Sequence, residues 1–159
     1  MLISAPVLAG GPQLRGTPTV ILGDILEVQG KRVRLLGIDA PERGQKCLAG
    51  SGKIFDCGHI AVTALMDLTA GVNVSCTLTG IYINNLPAAL CKAGGYDLSK
   101  GMVHAGWALA LPGQPTEYSK IEKTAQNGRH GMWRGKFDRP WDWRKGVRAV
   151  TKEPRAATR

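Results

Sequence analysis

The sequence predicts a small β-barrel of five strands with about three helices, built as one domain. Three observations predict it: the chain has 159 residues, short β-type runs separated by turns fill much of its first half, and three segments show helical periodicity. With 43% hydrophobic and 21% charged residues, the composition is that of an ordinary folded domain, not of a disordered or fibrous segment. We therefore expect the chain to fold around one hydrophobic core.

The predicted strands are short β-branched or aliphatic runs with turn residues at their ends. They cover residues 19–22, 25–28, 32–38, 72–76 and 87–91. Five such strands, the first three forming a meander, fit an antiparallel barrel of the oligonucleotide-binding type.

Three further segments place apolar residues at helical spacing. The first covers residues 58–68, the second follows Asp97, which can cap its N-terminus, and the third runs from about residue 116 to residue 130. The helices are therefore interleaved with the strands or follow them.

The chain is basic, with a formal net charge of +9. Residues 129–159 contain ten Lys or Arg and only three acids, whereas residues 1–128 contain eleven and nine. Such a balance favours anionic partners, and composition leaves nucleic acid, acidic polysaccharide and membrane head groups all open. No apolar run approaches the roughly 18–20 residues of a membrane-spanning helix, so we expect no membrane span.

The basic segment also contains Trp133, Phe137, Trp141 and Trp143. Aromatic faces beside cations suit single-stranded nucleic acid, because bases stack on the rings and phosphates meet the positive charge. The alternative is that the aromatic residues anchor the C-terminal segment to the barrel while the charges stay solvated. We favour packing for Trp133 and Trp141 and keep the basic groups as a candidate partner surface.

The four cysteines, Cys47, Cys57, Cys76 and Cys91, include no C-x-x-C pair, which argues against a zinc site or a thioredoxin-like pair. If a hairpin turn is centred between residues 83 and 84, Cys76 and Cys91 are equidistant from it and face each other. Cys47 and Cys57 would then clip the segment between them. Such pairing predicts an oxidising compartment, the periplasm or the exterior, whereas the alternative is four buried free thiols in a cytosolic protein.

The most informative stretch runs from Arg34 to Glu42, where a hydrophobic strand ends in the carboxylates of Asp39 and Glu42 on either side of Pro41. Upstream, Asp24 starts a hairpin. Strand-end carboxylates of neighbouring hairpins can converge on Ca²⁺, which takes oxygen ligands from side chains and backbone carbonyls. Arg34 can place its guanidinium on one strand face, toward a phosphate. From the residues alone, a solvated acidic turn is the alternative.

The chain resembles the staphylococcal-nuclease-like, or thermonuclease, family in a series of motifs. The specific motif is Gly23-Asp24 followed by Gly30-Lys31-Arg32-Val33-Arg34-Leu35-Leu36-Gly37-Ile38-Asp39-Ala40-Pro41-Glu42. Weaker motifs follow in the family's order: Cys57-Gly58, Ala89-Leu90-Cys91, Asp97-Leu98, Met102-Val103, Gly106-Trp107-Ala108-Leu109-Ala110 and Gly131-Met132-Trp133.

The resemblance implies a staphylococcal-nuclease-like domain over residues 19–144. We expect residues 1–18 to be an N-terminal tail and residues 145–159 a basic C-terminal tail. The first ten residues are apolar and end in small residues, but they lack a basic n-region. They are either the remnant of a signal peptide or a simple tail.

The resemblance also implies roles for five residues. Asp24, Asp39 and the backbone carbonyl of Ala40 match the family's Ca²⁺ ligands. Glu42 matches the general base that activates a water for attack on the phosphodiester phosphorus. Arg34 matches the arginine that stabilises charge on the phosphoryl oxygens, and the metal serves as Lewis acid and template.

Two departures lower the expected activity. The family's first turn reads Asp-Gly-Asp-Thr, but this chain has Leu22-Gly23-Asp24-Ile25. The family's Tyr-Gly-Arg arginine, which also binds the scissile phosphate, is replaced by the segment Asn84-Asn85-Leu86, and no Lys or Arg occurs from residue 54 to residue 91. Lys53 or Lys92 could substitute from outside the hairpin.

We therefore expect a secreted or periplasmic, monomeric, Ca²⁺-dependent phosphodiesterase of reduced activity that acts on DNA or RNA, with single strands favoured. The alternative is a catalytically inactive barrel that binds nucleic acid, another polyanion or a protein partner, in envelope or exopolysaccharide biology. A basic surface alone does not distinguish phosphate from uronate.

Overall fold

The computed structural model describes residues 10–113 and 116–151. The strands are β1 (Gln13–Gly16), β2 (Thr19–Leu22), β3 (Ile25–Val28), β4 (Lys31–Leu35), β5 (Ile38–Asp39), β6 (Lys46–Leu48), β7 (Ile54–Asp56), β8 (Val74–Ile83), β9 (Leu86–Ala93), β10 (Tyr96–Asp97) and β11 (Leu109–Ala110). The helices are α1 (Cys57–Thr69), α2 (Leu98–His104), α3 (Thr116–Asn127) and α4 (Pro140–Arg144), with a 3₁₀ helix at Gly131–Arg134.

Seven strands form one sheet in the order β1-β8-β9-β4-β3-β2, with β10 added to β9. This mixed sheet with its helices confirms the predicted fold class, an oligonucleotide-binding-type architecture with the three predicted helices and the short α4 in addition. The antiparallel prediction is wrong for one pair, because β4 and β9 run parallel, with Arg34 opposite Ala88. Parallel strands need a long crossover, and here β5 to β8 and α1 supply it.

Aspartate side chains cap the first two helices, and only the cap at Asp97 was predicted. The Asp56 carboxylate accepts a hydrogen bond from the His59 amide at 2.9 Å and caps α1. The Asp97 carboxylate accepts one from the Lys100 amide at 3.3 Å and caps α2, as predicted. Each side chain satisfies an amide that has no partner within the helix.

Both predicted disulfides are present: Cys47 is bonded to Cys57, and Cys76 to Cys91. Cys76 lies opposite Cys91 in the β8–β9 ladder. The predicted turn centre is wrong by one residue, since Asn84 and its neighbour Asn85 form the tip with φ of 50° and 64°. Asn tolerates this left-handed conformation, which hairpin turns of type I′ require. A register shift further down the hairpin restores the pairing of the cysteines.

Two hydrophobic clusters hold the elements together. The larger cluster packs Leu26 and Leu35 of the sheet against Leu65 of α1 and Met102 of α2, all fully buried. The smaller cluster surrounds the Cys47–Cys57 disulfide, and its partly buried members are Phe55, Trp107, Trp133, Phe137 and Trp141. The prediction that Trp133 and Trp141 pack the C-terminal segment onto the domain is confirmed.

Neither end of the described chain is isolated from the domain. Strand β1 pairs with β8, so the sheet begins before residue 19, where the sequence predicts the domain boundary. Beyond α4, the Arg148 guanidinium carbon lies 3.9 Å from the ring centre of Trp143. The rest of the predicted tails, residues 1–9 and 152–159, falls outside the described residues. None of the helices in the described ranges is long and apolar enough to cross a membrane.

Candidate active site

A close contact at Gly23 brings the β2–β3 hairpin against the turn after β5. A Cβ atom on Gly23 would lie 2.8 Å from the Cβ of Ala61 in α1 and 2.9 Å from the Cβ of Ala40. Side chains do not approach so closely, so glycine permits this packing and other residues would push the elements apart. Asp24 is the next residue, and the contact places it beside the end of β5.

Asp24 and Arg34 form a buried ion pair. The Arg34 Nη1 donates to Asp24 Oδ2 at 2.8 Å, and the side chains are 9% and 2% exposed. The Ala40 amide donates to the same oxygen at 3.4 Å. Burial raises the pKa of Asp24 to about 7, against the opposing effect of the Arg34 charge, and the nearby Asp39 and Glu42 raise it further. The acids are thus close enough to repel one another.

The Nε of Arg34 is buried and has no hydrogen-bond partner in the part of the chain that the structure describes. An unpaired buried donor on a charged group is costly to a fold. A phosphate oxygen is an acceptor suited to an arginine Nε, because guanidinium binds phosphate through parallel N–H donors. The orphaned donor is therefore consistent with an anionic ligand at this position.

Arg144 joins the other two carboxylates. Its Nη1 donates to Asp39 Oδ1 at 2.8 Å and to Glu42 Oε1 at 2.6 Å, and its Nη2 donates to Asp39 Oδ2 at 2.6 Å. Burial raises the pKa of Asp39, while the bonds from Arg144 oppose this rise. The same bonds raise the pKa of Arg144 further above its ordinary value. Both oxygens of Asp39 are therefore engaged by a guanidinium.

The turn that carries Glu42 is fixed from two sides. The Glu42 amide donates to Gln45 Oε1 at 3.0 Å, and the Gln45 Nε2 donates to the Asp138 carbonyl at 2.8 Å. On the other side α1 packs so closely that a Cβ on Gly58 would lie 2.0 Å from the Glu42 carbonyl oxygen. Glu42 is thus held between α1 and the C-terminal segment.

The structure brings all five sequence-predicted site residues, Asp24, Arg34, Asp39, Ala40 and Glu42, into one cluster. Their individual roles stay predictions. The segment Asn84-Asn85-Leu86, which stands in the position of the family's Tyr-Gly-Arg, contains no Lys or Arg and so supplies no cation. In the described residues, neither of the two suggested substitutes, Lys53 and Lys92, pairs with a site carboxylate.

Sequence reasoning missed Arg144. It counts only among the basic C-terminal residues, because nothing in its local pattern connects it to a turn more than 100 residues earlier. One signal could have indicated it: the motif places three carboxylates around a single arginine, which leaves negative charge without a partner. A second cation from elsewhere in the chain was therefore to be expected.

The carboxylate oxygens of Asp24 and Asp39, with the Ala40 carbonyl, fit Ca²⁺ by donor chemistry. Both acids are almost fully buried and have raised pKa values, so a cation beside them would be stabilising. As arranged, however, no group of three or more His, Cys, Asp or Glu within the described ranges could hold a metal ion. Asp39 could bind a metal only after Arg144 had moved away.

Fold and cluster together define a class: a small oligonucleotide-binding-type domain with carboxylates and a buried arginine at its strand ends. Comparison with known families then identifies it. The family model of the staphylococcal nuclease homologues matches residues 32–135, about two thirds of the chain. The protein belongs to this family, which confirms the predicted one.

Comparison with individual proteins gives several relatives, including one that is named as a nuclease. The chain is 32% identical to a micrococcal nuclease of Shigella flexneri over 95% of its own length and 90% of the relative's. It is 31% identical to the succinoglycan biosynthesis protein ExoI of Rhizobium meliloti (strain 1021) over 75% of this chain, and the match spans 64% of that relative's length. It is also 29% identical to the protein ParB of Escherichia coli over 91% and 85% of the two chains.

The family match covers only part of the cluster. Arg34 and residues 39–42 lie within the matched segment 32–135, whereas Asp24 and Arg144 lie on either side of it. The guanidinium that holds Asp39 and Glu42 thus comes from a part of the chain that the family model does not describe.

Proposed function

We propose that the protein is a Ca²⁺-dependent phosphodiesterase that hydrolyses nucleic acid, with single strands favoured, and that it acts as a monomer. One observation carries the proposal: three carboxylates and Arg34, whose buried Nε has no partner in the described residues, meet at one place on the domain surface. Membership of a family of nuclease homologues and the net charge of +9 support it.

Glu42 is the proposed general base. Its side chain is 20% exposed, so water can reach it, whereas the side chains of Asp24 and Asp39 are 2% and 3% exposed. Glu42 takes a proton from water as the water oxygen bonds to phosphorus. The bond from phosphorus to the leaving oxygen breaks, and that oxygen takes a proton from solvent.

Arg34 is proposed to bind the phosphoryl oxygens through its Nε and to stabilise the charge that grows on them. Asp24, Asp39 and the Ala40 carbonyl would hold Ca²⁺, which supplies a Lewis acid and a template when bound. Asp24 also fixes the orientation of Arg34 through its 2.8 Å bond to Nη1.

Reduced activity is part of the proposal. No Lys or Arg occurs from residue 54 to residue 91, which includes the tip of the β8–β9 hairpin. In addition, Arg144 occupies Glu42 Oε1 and both carboxylate oxygens of Asp39, and these groups must be freed before reaction. We also propose a periplasmic or extracellular location, since two disulfides persist best in an oxidising compartment.

The test is cleavage of single-stranded DNA in Ca²⁺ and in a chelator. We expect cleavage in Ca²⁺ alone, and Glu42→Gln should lower its rate about 10²–10⁴-fold, the usual contribution of a general base. Glu27→Gln is the matched control, because Glu27 pairs on the sheet surface with Arg32 and, among the described residues, forms no ion pair with a site residue. Equal rates for the wild type and Glu42→Gln would show that Glu42 is not the general base. Cleavage that is equally fast in the chelator would show that the reaction does not need Ca²⁺.

A second candidate function is binding of a polyanion without hydrolysis. The relative named for succinoglycan biosynthesis favours it, together with the basic C-terminal segment. Under this alternative the protein binds single-stranded DNA or an acidic polysaccharide in equilibrium titrations, and neither ligand is cleaved. Salt-dependent binding with no product in either metal condition would make it the better assignment.

A further inference from the structure

Arg144 contacts both Asp39 and Glu42, two of the carboxylates of the proposed reaction. Its Nη1 is 2.6 Å from Glu42 Oε1, and its two Nη atoms engage both oxygens of Asp39. Water activated by Glu42 attacks a phosphorus about 3 Å from the attacking oxygen. The scissile phosphate is therefore within reach of the Arg144 side chain.

The C-terminal segment is built to present this side chain. Pro140 occupies the first turn of α4, where its fixed φ favours a helix start. Arg148 donates to the Trp143 carbonyl at 2.7 Å, and the Val150 amide donates to Asp138 Oδ2 at 3.4 Å. Both contacts join a residue before Arg144 in the sequence to a residue after it. Its side chain is nevertheless 31% exposed, so a ligand can reach it.

The negative charge that develops on the phosphoryl oxygens during the reaction favours a second cation in the site. Phosphoryl transfer places negative charge on the phosphoryl oxygens, and sites that catalyse it stabilise this charge with several positive groups. Arg34 already commits its Nη1 to Asp24. Within the described residues, Arg144 is the other cation that pairs with the site carboxylates.

We propose that Arg144 is the second phosphate-binding cation of the site, delivered by α4, and that Asp39 and Glu42 hold it until a phosphodiester replaces them. This inference rests on the proposed function. When the ligand binds, the guanidinium exchanges carboxylate oxygens for phosphate oxygens. Asp39 and Glu42 are then free for the metal and for the attacking water.

The first test is equilibrium binding of a short oligothymidylate in Ca²⁺, in a Glu42→Gln background that slows turnover. Arg144→Ala should weaken binding at least about tenfold, as expected for a charge-assisted phosphate contact. Arg144→Lys should recover part of the loss. Lys145→Ala removes the same charge from the next, exposed residue and should weaken binding less than about twofold. Equal losses for Arg144→Ala and Lys145→Ala would overturn the proposal.

The second test is turnover in an otherwise wild-type chain. Arg144→Ala should lower kcat/KM about a hundredfold or more, the effect of removing one preorganised donor from developing charge. Faster cleavage by Arg144→Ala would show that this side chain only blocks the carboxylates, and would overturn the proposal. Thermal unfolding of each variant, with Arg144→Lys as the charge-conserving control, shows whether a loss reflects misfolding.

The two proposals can fail separately. If the wild type cleaves nothing in any metal condition, the proposed function fails, and the oligothymidylate titration alone decides the role of Arg144. Calcium titration without nucleic acid gives an independent readout: Arg144→Ala should tighten Ca²⁺ binding, because it removes an internal cation from Asp39. Unchanged calcium affinity would mean that Asp39 and Arg144 are not paired in solution, and the proposal would be wrong.

Discussion

Two arginine–carboxylate contacts lie side by side in the site and differ in how the chain makes them. Arg34 and Asp24 are ten residues apart on either side of one hairpin, and both side chains are buried. Arg144 reaches Asp39 from 105 residues away, and its side chain is 31% exposed. The first contact forms whenever strands β3 and β4 pair. The second requires the C-terminal segment to dock, and it can open while the sheet stays folded.

The difference in exposure indicates that the Arg34–Asp24 contact is structural and that the Arg144–Asp39 contact is exchangeable. A buried pair has no water to replace a lost partner, so removing one member leaves an uncompensated charge. A guanidinium that is 31% exposed can exchange its carboxylate for solvent or for another anion more readily, although Asp39 itself is buried. Breaking the Asp24–Arg34 pair therefore destabilises the fold by leaving a buried charge unpaired, while the Arg144 contact is available for ligand exchange.

The largest expected effect comes from breaking the buried pair. Asp24→Asn removes the charge that Arg34 faces and keeps the shape, so we expect a loss of about 3 kcal/mol in the free energy of unfolding. Arg144→Met should cost less, about 1–2 kcal/mol, because the guanidinium is 31% exposed although its partner Asp39 is buried. Urea unfolding at pH 8, above the value of about 7 to which burial raises the pKa of Asp24, measures both values.

Glu27→Gln is the control for that experiment. It breaks the Arg32–Glu27 pair, whose side chains are 57% and 35% exposed, and should cost no more than about 1 kcal/mol. Equal losses for Asp24→Asn and Arg144→Met would contradict the contrast between the two contacts.

A second cation can also be supplied from the sheet. Leu86 begins β9 two residues before Ala88, which lies opposite Arg34 in the parallel β4–β9 pair. In an Arg144→Ala background, Leu86→Arg should raise Ca²⁺-dependent cleavage at least about tenfold, a conservative share of the effect of such a group. The rate of cleavage of single-stranded DNA is the measurement.

Ile81→Arg is the matched control, since it adds the same charge at an exposed position of the neighbouring strand. It should leave the rate within about twofold of the background variant, as expected for a distant screened charge. A similar gain from both variants would show that net charge alone controls the rate. No gain from a folded Leu86→Arg variant would place β9 too far from the phosphate.

The smallest effect concerns Asp56, an exposed acid at the start of α1. The His59 amide bond, followed by the Lys46 contact, lowers the pKa of Asp56 below its ordinary value of 3.8. Its stabilising effect is therefore complete above that value and is lost as pH falls through the lowered pKa of the folded state. Asp56→Ala should cost about 1 kcal/mol at pH 7, and the difference from the wild type should shrink below about pH 4.

Urea unfolding at several pH values checks this prediction. Asp67→Ala, an exposed acid near the other end of α1, is the matched control and should not destabilise the protein at pH 7. A cost for Asp56→Ala that stays constant down to pH 2 would contradict the assigned cause of the pKa shift.

Much of the fold could be predicted because its signals are local. Turn residues and β-branched runs marked β2, β3 and β4, and Asp97 marked the start of α2. The cysteine pairing followed from hairpin symmetry even though the turn centre was wrong by one residue, because a bulge compensated the error. The parallel β4–β9 pair could not be predicted, because the periodicity of a strand does not indicate which other strand it pairs with.

By itself, the sequence determined the family, the two disulfides and the cluster of residues at Asp24, Arg34 and 39–42, since neighbouring strand ends meet once their hairpins form. Only the tertiary structure decided that Arg144 completes this cluster. Its position depends on how α4 docks through Trp141 and the Gln45–Asp138 contact, both of which join distant parts of the chain. Short-range patterns of hydrophobicity and turn residues carry no information about such contacts, because packing selects them only after the elements have formed.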